Sequence, residues 1–233
     1  MLFRSAAGLI ADFVGIISAV YICRFLFGIS PISAETIKNN DLVNIQELDS
    51  TILVDLKYTT TDNFMNMDLY GDLETCYLRK NPAEMLLRAN KYLKETNPEL
   101  NLLIYDGLRP RSIQRKLWNA LDEVPETERT QYVADPEKGS IHNYGAAVDL
   151  TLAHENGSPL DMGTKYDYFG ELAFPALEDS LLSIGLLTLA HIENRKILRN
   201  VMTQAGFSTI SSEWWHFNAY SYQDIQTKYN IIE

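Results

Sequence analysis

Two short segments constrain this chain more than any other feature: Ser140-Ile141-His142-Asn143-Tyr144-Gly145-Ala146-Ala147-Val148-Asp149, and Glu213-Trp214-Trp215-His216 near the C-terminus. Together they carry two imidazoles, one carboxylate and a second, differently placed carboxylate. A catalytic zinc site needs three protein ligands, an open position for water and a group to take that water's proton. The two segments supply that set, so the pattern implies a metallohydrolase.

The pattern also dictates local structure. In a turn-then-strand arrangement His142 lies at the mouth of the strand and Asp149 points inward farther along, with Gly145 letting the backbone turn between them. Val148 and Leu150 then face the opposite side, and an inward carboxylate needs a cation partner, of which a metal is the simplest. The bland alternative is an Asp149 paired with a buried arginine and a loop histidine at 142. Glu213 and His216, three apart, fall on opposite sides of a regular strand because side chains alternate with period two. For both to serve one site, Glu213 must sit on a turn or bulge entering the strand. The alternative for this segment is an aromatic core strand with a satisfied histidine.

Composition narrows the setting. The 233 residues suit one domain with a full core, or a domain plus a leader, and 46% hydrophobic with 22% charged residues is an ordinary globular balance. Net charge is −11 with no lysine- or arginine-rich run, which argues against nucleic acid and anionic membrane surfaces as partners. Residues 1–34 differ from the rest. Arg4 precedes an apolar run from Leu9 to Ile29, interrupted by Asp12 and Arg24, and Pro31-Ile32-Ser33-Ala34 resembles a cleavage site. This reads as a signal peptide, with an uncleaved membrane anchor as the alternative. It places the protein in the periplasm or otherwise outside the cytoplasm, against a cytoplasmic alternative. Residues 35–47 read as a polar tether and 48–233 as the catalytic domain. Cys76, with no base beside it, reads as a packing residue.

Along the domain, Thr51 to Leu56 and Leu102 to Tyr105 read as strands, and Asn63 to Tyr70 as an irregular loop. Asn81-Pro82 starts a helix, Ser112 to Leu121 forms another, and Asp122 to Gly139 is a long surface loop. Ala146 to Leu152 is a strand, and Asn156-Gly157 is a hairpin turn into Ser158 to Met162. A helix from Asn194 to Ala205 closes at Gly206, before strands at Phe207 to Ile210 and Trp214 to Asn218. His154 and His191 read as exposed or structural, the latter in a loop. Without regular βαβ units, the class is α+β with a mostly antiparallel central sheet flanked by helices.

The pattern Ser-x-His-x-x-Gly-x-Ala-x-Asp, filled by Ser140, His142, Gly145, Ala147 and Asp149, together with Glu213-Trp214-Trp215-His216, resembles the zinc D-alanyl-D-alanine dipeptidases of the VanX type within the M15 family. Features are shared with the wider group of zinc DD-carboxypeptidases. The likeness runs from about Tyr58 to Phe217 and includes Asp106-Gly107-Leu108-Arg109-Pro110 and Met162-Gly163-Thr164-Lys165-Tyr166-Asp167. It implies a hedgehog/DD-peptidase-like fold and one Zn2+ per chain on His142, Asp149 and His216. It implies Glu213 as general base and acid and Arg109 as the group that stabilises the transition state. Tyr58, Ser140 and Asp167 match positions around the free amino terminus of a small dipeptide substrate. The 122–139 loop departs from the resistance enzymes in length and content, which implies a different pocket size.

The activity these residues imply is hydrolysis of D-alanyl-D-alanine to two D-alanines. Two rivals remain: a DD-carboxypeptidase or endopeptidase on peptidoglycan stem peptides, and a non-catalytic, zinc-stabilised module that binds cell-wall peptide.

Overall fold

A computed structural model describes residues 32–233, so the signal-peptide reading falls almost wholly outside the described residues. The presumed tether is folded. Ser33 caps helix α1 (Ala34–Asn39), and β1 (Leu42–Asn44) pairs antiparallel with β3 (Tyr77–Arg79). Leu42 and Ile45 are buried in the core. A polar sequence hid this because ladder hydrogen bonds come from the backbone, and two apolar side chains suffice to anchor so short a strand.

The central sheet has the order β2-β4-β5-β7-β6. Strand β2 (Leu53–Val54), shorter than the sequence suggested, runs parallel to β4 (Leu100–Asp106). Their parallel pairing requires a crossover, which helix α2 (Lys80–Thr96) provides. The remaining pairs are antiparallel: β4 with β5 (Ala147–His154), β5 with β7 (His216–Asn218), and β6 (Ser208–Thr209) with β7. Helix α3 (Arg111–Asn119) follows β4, α4 (Glu178–Ser183) and α5 (Leu189–Gln204) precede β6, and α6 (Tyr222–Lys228) follows β7. The α+β class and mostly antiparallel sheet match the expectation from sequence.

The period-two alternation of β5 sorts the two faces of the sheet. Val148, Leu150 and Leu152 join the main core with Leu86 and Leu93 of α2 and Leu198 and Met202 of α5. Asp149 and Thr151 therefore point to the opposite face. Two local readings need correction. Helix α5 starts at Leu189, well before Asn194, because Thr188 and His191 form a reciprocal capping box; His191 is helical, not in a loop. The hairpin arm at 158–162 shrinks to a single bridge, Ala153 to Pro159, since a proline has no N–H to extend the ladder. Among the described residues no helix is long and apolar enough to cross a membrane.

Candidate metal centre and active-site cavity

Strands β5 and β7 place Asp149 directly opposite His216 in register. His142 comes from a 3-10 turn (Ile141–Tyr144), capped at its start by the Ser140 hydroxyl and ended by Gly145 at φ 70°. That left-handed conformation suits glycine, and any other residue there would be strained by the backbone although space for a Cβ exists. The turn delivers the His142 ring to the face that Asp149 and His216 share.

Three atoms converge there. His142 Nε2 lies 3.2 Å from Asp149 Oδ1 and 3.2 Å from His216 Nδ1, and His216 Nδ1 lies 2.9 Å from Asp149 Oδ1. Ligand atoms around a tetrahedral zinc, with bonds of about 2.0–2.1 Å, stand roughly 3.3 Å apart. The outer ring nitrogens decide which tautomers are present. The Gly107 carbonyl can only accept, so His142 Nδ1 donates to it at 2.7 Å; His216 Nε2 donates likewise to Asn218 Oδ1 at 2.8 Å. Both inner nitrogens then aim lone pairs at each other and at a carboxylate oxygen. A metal cation at their meeting point satisfies all three at once, so the donor set fits a metal.

In the absence of a metal, Asp149 and the two imidazoles stabilise one another's charges. Burial opposes ionisation of Asp149, but the charge and hydrogen bond of His142, with those of His216, hold it well below the usual carboxylate range. Burial also disfavours a charged His216, yet the Asp149 hydrogen bond and charge outweigh it and raise that imidazole to about 9.

Glu213 lies in the bend that leads into β7, as the alternation of that segment required. Its Oε2 is 3.9 Å from His216 Nδ1, and its side chain remains 30% exposed, toward the cavity. Burial, reinforced by the charge of Asp149, raises its pKa above the usual glutamate value.

Arg109 follows β4 and is buried. Its Nε and Nη2 donate to Asp106 Oδ2 at 2.9 and 2.6 Å, and Nη1 donates to Gln114 Oε1 at 3.1 Å. Nη2 also stands 3.6 Å from Asp149 Oδ2, and the guanidinium lies 5.1 Å from the centre of the Tyr58 ring. Across the cavity, Tyr58 OH donates to Asp167 Oδ2 at 3.0 Å. Burial pushes the Asp167 carboxyl well above its ordinary range, against the pull of Arg109. The Ser140 hydroxyl accepts from the His142 N–H at 3.3 Å while facing the same space. All eight candidate residues line one cavity of about 310 Å³.

The chain matches the Peptidase M15 family model, described as D-ala-D-ala dipeptidase, over residues 38–231. The chain belongs to this family. Relatives named D-alanyl-D-alanine dipeptidase bear this out. One from Escherichia coli (strain K12) is 35% identical over 177 residues, covering 76% of this chain and 83% of that one. One from Enterococcus faecium is 32% identical, covering 70% and 83%, and one from Streptomyces coelicolor is 31% identical, covering 76% and 90%. The chain is accordingly a hydrolase of this metallopeptidase family.

The family motifs do not announce every residue that shapes the site. Asp106 is fully buried and accepts from Tyr70 OH, the Gly107 N–H and twice from Arg109. Tyr166 OH donates to Asp149 Oδ2 at 2.9 Å, holding the carboxylate so that Oδ1 faces the histidines. Both residues lie inside segments that the sequence singles out, beside Arg109 and Asp167. The signal was adjacency; it carried no role. The Gly107 carbonyl and Asn218 had no signal at all.

Proposed function

We propose that the chain hydrolyses D-alanyl-D-alanine to two D-alanines, with one zinc ion held by His142, Asp149 and His216. The observation that carries this reading is the size and lining of the cavity. At about 310 Å³ it sits at the small end of the roughly 300–1,000 Å³ common for ligand pockets, yet it holds the metal-ligand triangle, a spare carboxylate, an arginine and a second acid. A zinc ion there supplies Lewis acidity, polarising the scissile carbonyl and making water a nucleophile at neutral pH.

The chain's own residues supply the rest. Glu213, reachable from the cavity and with a raised pKa, accepts the proton of the attacking water and passes it to the departing amine. Arg109 has three of its five N–H groups fixed by Asp106 and Gln114. The other two make no hydrogen bond, although Nη2 stands 3.6 Å from Asp149 Oδ2, and they can donate to the oxyanion that develops at the carbonyl. Asp167, steadied by Tyr58, receives the substrate ammonium, and Ser140 borders the same end. Tyr166 and the Gly107 carbonyl keep two of the ligands in orientation.

The test measures metal content together with D-alanine release from D-alanyl-D-alanine, L-alanyl-L-alanine and an acetylated tripeptide ending in D-alanyl-D-alanine. About one zinc per chain and release confined to the free D,D-dipeptide are expected. Cleavage of the acetylated tripeptide at a rate equal to or above that of the dipeptide would overturn the assignment in favour of a carboxypeptidase.

A further inference from the structure

A second and larger cleft, of about 790 Å³, adjoins the active-site cavity. The two linings have only Phe64 and Asp167 in common, so these two residues border both spaces. On the reading above, the substrate's ammonium lies at Asp167. A residue added to the amino side of the dipeptide would then lie toward Phe64 and the larger cleft.

Phe64 is set firmly in that position. The neighbouring Asn63 amide nitrogen donates to the carbonyls of Lys57, Thr60 and Met67 at 2.8–2.9 Å, and its oxygen accepts the Met65 N–H at 3.0 Å. The loop is thus stapled on both sides of residue 64. The ring itself meets Tyr58 edge-on at 6.5 Å and Phe169 edge-on at 5.0 Å, and Phe169 in turn meets Tyr132 at 5.2 Å. Three loops converge in this aromatic row, one of them the long 122–139 loop. Edge-to-face contacts at such distances favour one ring orientation over others.

We infer that Phe64, buttressed by Phe169 and Tyr132, is the residue that confines cleavage to dipeptides, by closing the amino-terminal end of the active-site cavity against the adjoining cleft. The inference rests on the dipeptidase reading of the site. Removing the ring joins the two spaces and gives an added residue somewhere to lie. Phe64 is only half-buried, so its truncation leaves no hole in the core.

The experiment compares kcat/KM for D-alanyl-D-alanine and tri-D-alanine in the wild type, Phe64→Ala, Phe64→Leu and Phe64→Trp, with thermal melting as a check on folding. A pocket change of several methylenes shifts discrimination by at least roughly tenfold. Phe64→Ala is expected to raise the tripeptide-to-dipeptide ratio by about that factor, Phe64→Leu by less, and Phe64→Trp not at all. Folded Phe64→Ala and Phe64→Leu proteins with a wild-type ratio would overturn the inference while leaving the dipeptidase reading intact. A wild type that prefers the tripeptide would instead overturn the dipeptidase reading.

Discussion

Replacing Asp106 by asparagine tests whether the arginine of the site is held by charge or merely by shape. The carboxylate accepts four hydrogen bonds in full burial: Tyr70 OH and the Gly107 N–H at Oδ1, Arg109 Nε and Nη2 at Oδ2. Asparagine keeps an oxygen for the first two. Its amide NH2 then faces the guanidinium, donor against donor, and the cation loses its partner. Two hydrogen bonds to charged groups are worth about 1.5–3 kcal/mol each, and breaking a buried pair by removing one member costs about 3–5 kcal/mol. Asp149 Oδ2, already 3.6 Å from Nη2, recovers part of this, which places the loss near the lower figure. A destabilisation of about 3 kcal/mol corresponds to a fall in Tm of about 6–12 °C for a chain of this size.

The assay is urea unfolding of metal-depleted protein, followed by circular dichroism, for wild type, Asp106→Asn, Arg109→Met and the double variant. Once Arg109 is gone, Asp106 is itself an unpaired buried anion, so the asparagine substitution becomes neutral or stabilising. The cycle should therefore show a coupling of at least about 2 kcal/mol. Additive single-variant effects, or an Asp106→Asn cost under about 1 kcal/mol, would refute the claim that charge fixes Arg109.

Three further outcomes follow from the site. Glu213→Gln should lower kcat by about 10²–10⁴-fold with zinc content unchanged; a variant retaining wild-type turnover would remove Glu213 from the proton transfer. Asp167→Asn should raise KM for the dipeptide by about 10- to 100-fold, the worth of one charged hydrogen bond. Because burial raises the Asp167 pKa, the wild-type KM should climb as pH falls through a range above that of ordinary carboxylates, and this limb should vanish in Asp167→Asn when KM is measured against pH. Chelation should abolish activity and lower Tm, and zinc at about 100 times its Kd should restore about 2.7 kcal/mol, or about 5–11 °C by calorimetry. An unchanged Tm on chelation would contradict binding at the triad.

How much was legible in the sequence depended on where the information resides. His142, Asp149, Glu213 and His216 stand in two contiguous patterns, and the parity conflict at Glu213 correctly required a bend before β7. The helices with apolar periodicity were found to within a few residues of their ends. What failed was structure written in backbone hydrogen bonds: β1, whose pairing with β3 needs almost nothing of its side chains, and the 158–162 arm, which Pro159 cuts short. The first turn of α5 was missed because its capping box uses a histidine where glutamate or glutamine is usual. The supports of the metal ligands were invisible for a related reason. A carbonyl such as that of Gly107 acts as an acceptor whatever residue bears it.

On the proposed reading, the charges of the site tie the metal to the substrate. Asp106, Asp149, Asp167 and Glu213 crowd around a single guanidinium, which leaves three negative charges in excess if all four acids ionise and both imidazoles are neutral, as metal ligation requires of them. A poorly solvated space disfavours that excess, and the two acids pushed upward are Asp167 and Glu213, the pair that forms no ion pair with Arg109. A divalent cation between His142, Asp149 and His216 would lower the cost of ionising both. Glu213 would then be a carboxylate able to take a proton, and Asp167 one able to meet an ammonium. A free amino terminus would then meet the Asp167 carboxylate locally with a positive charge, where an acylated one supplies nothing. On these readings, shape at Phe64 would exclude an added residue while charge at Asp167 would require an ammonium, two independent physical means of selecting a free dipeptide. Truncating Phe64 alone should therefore relax the selection without abolishing it, and only combination with Asp167→Asn removes both barriers.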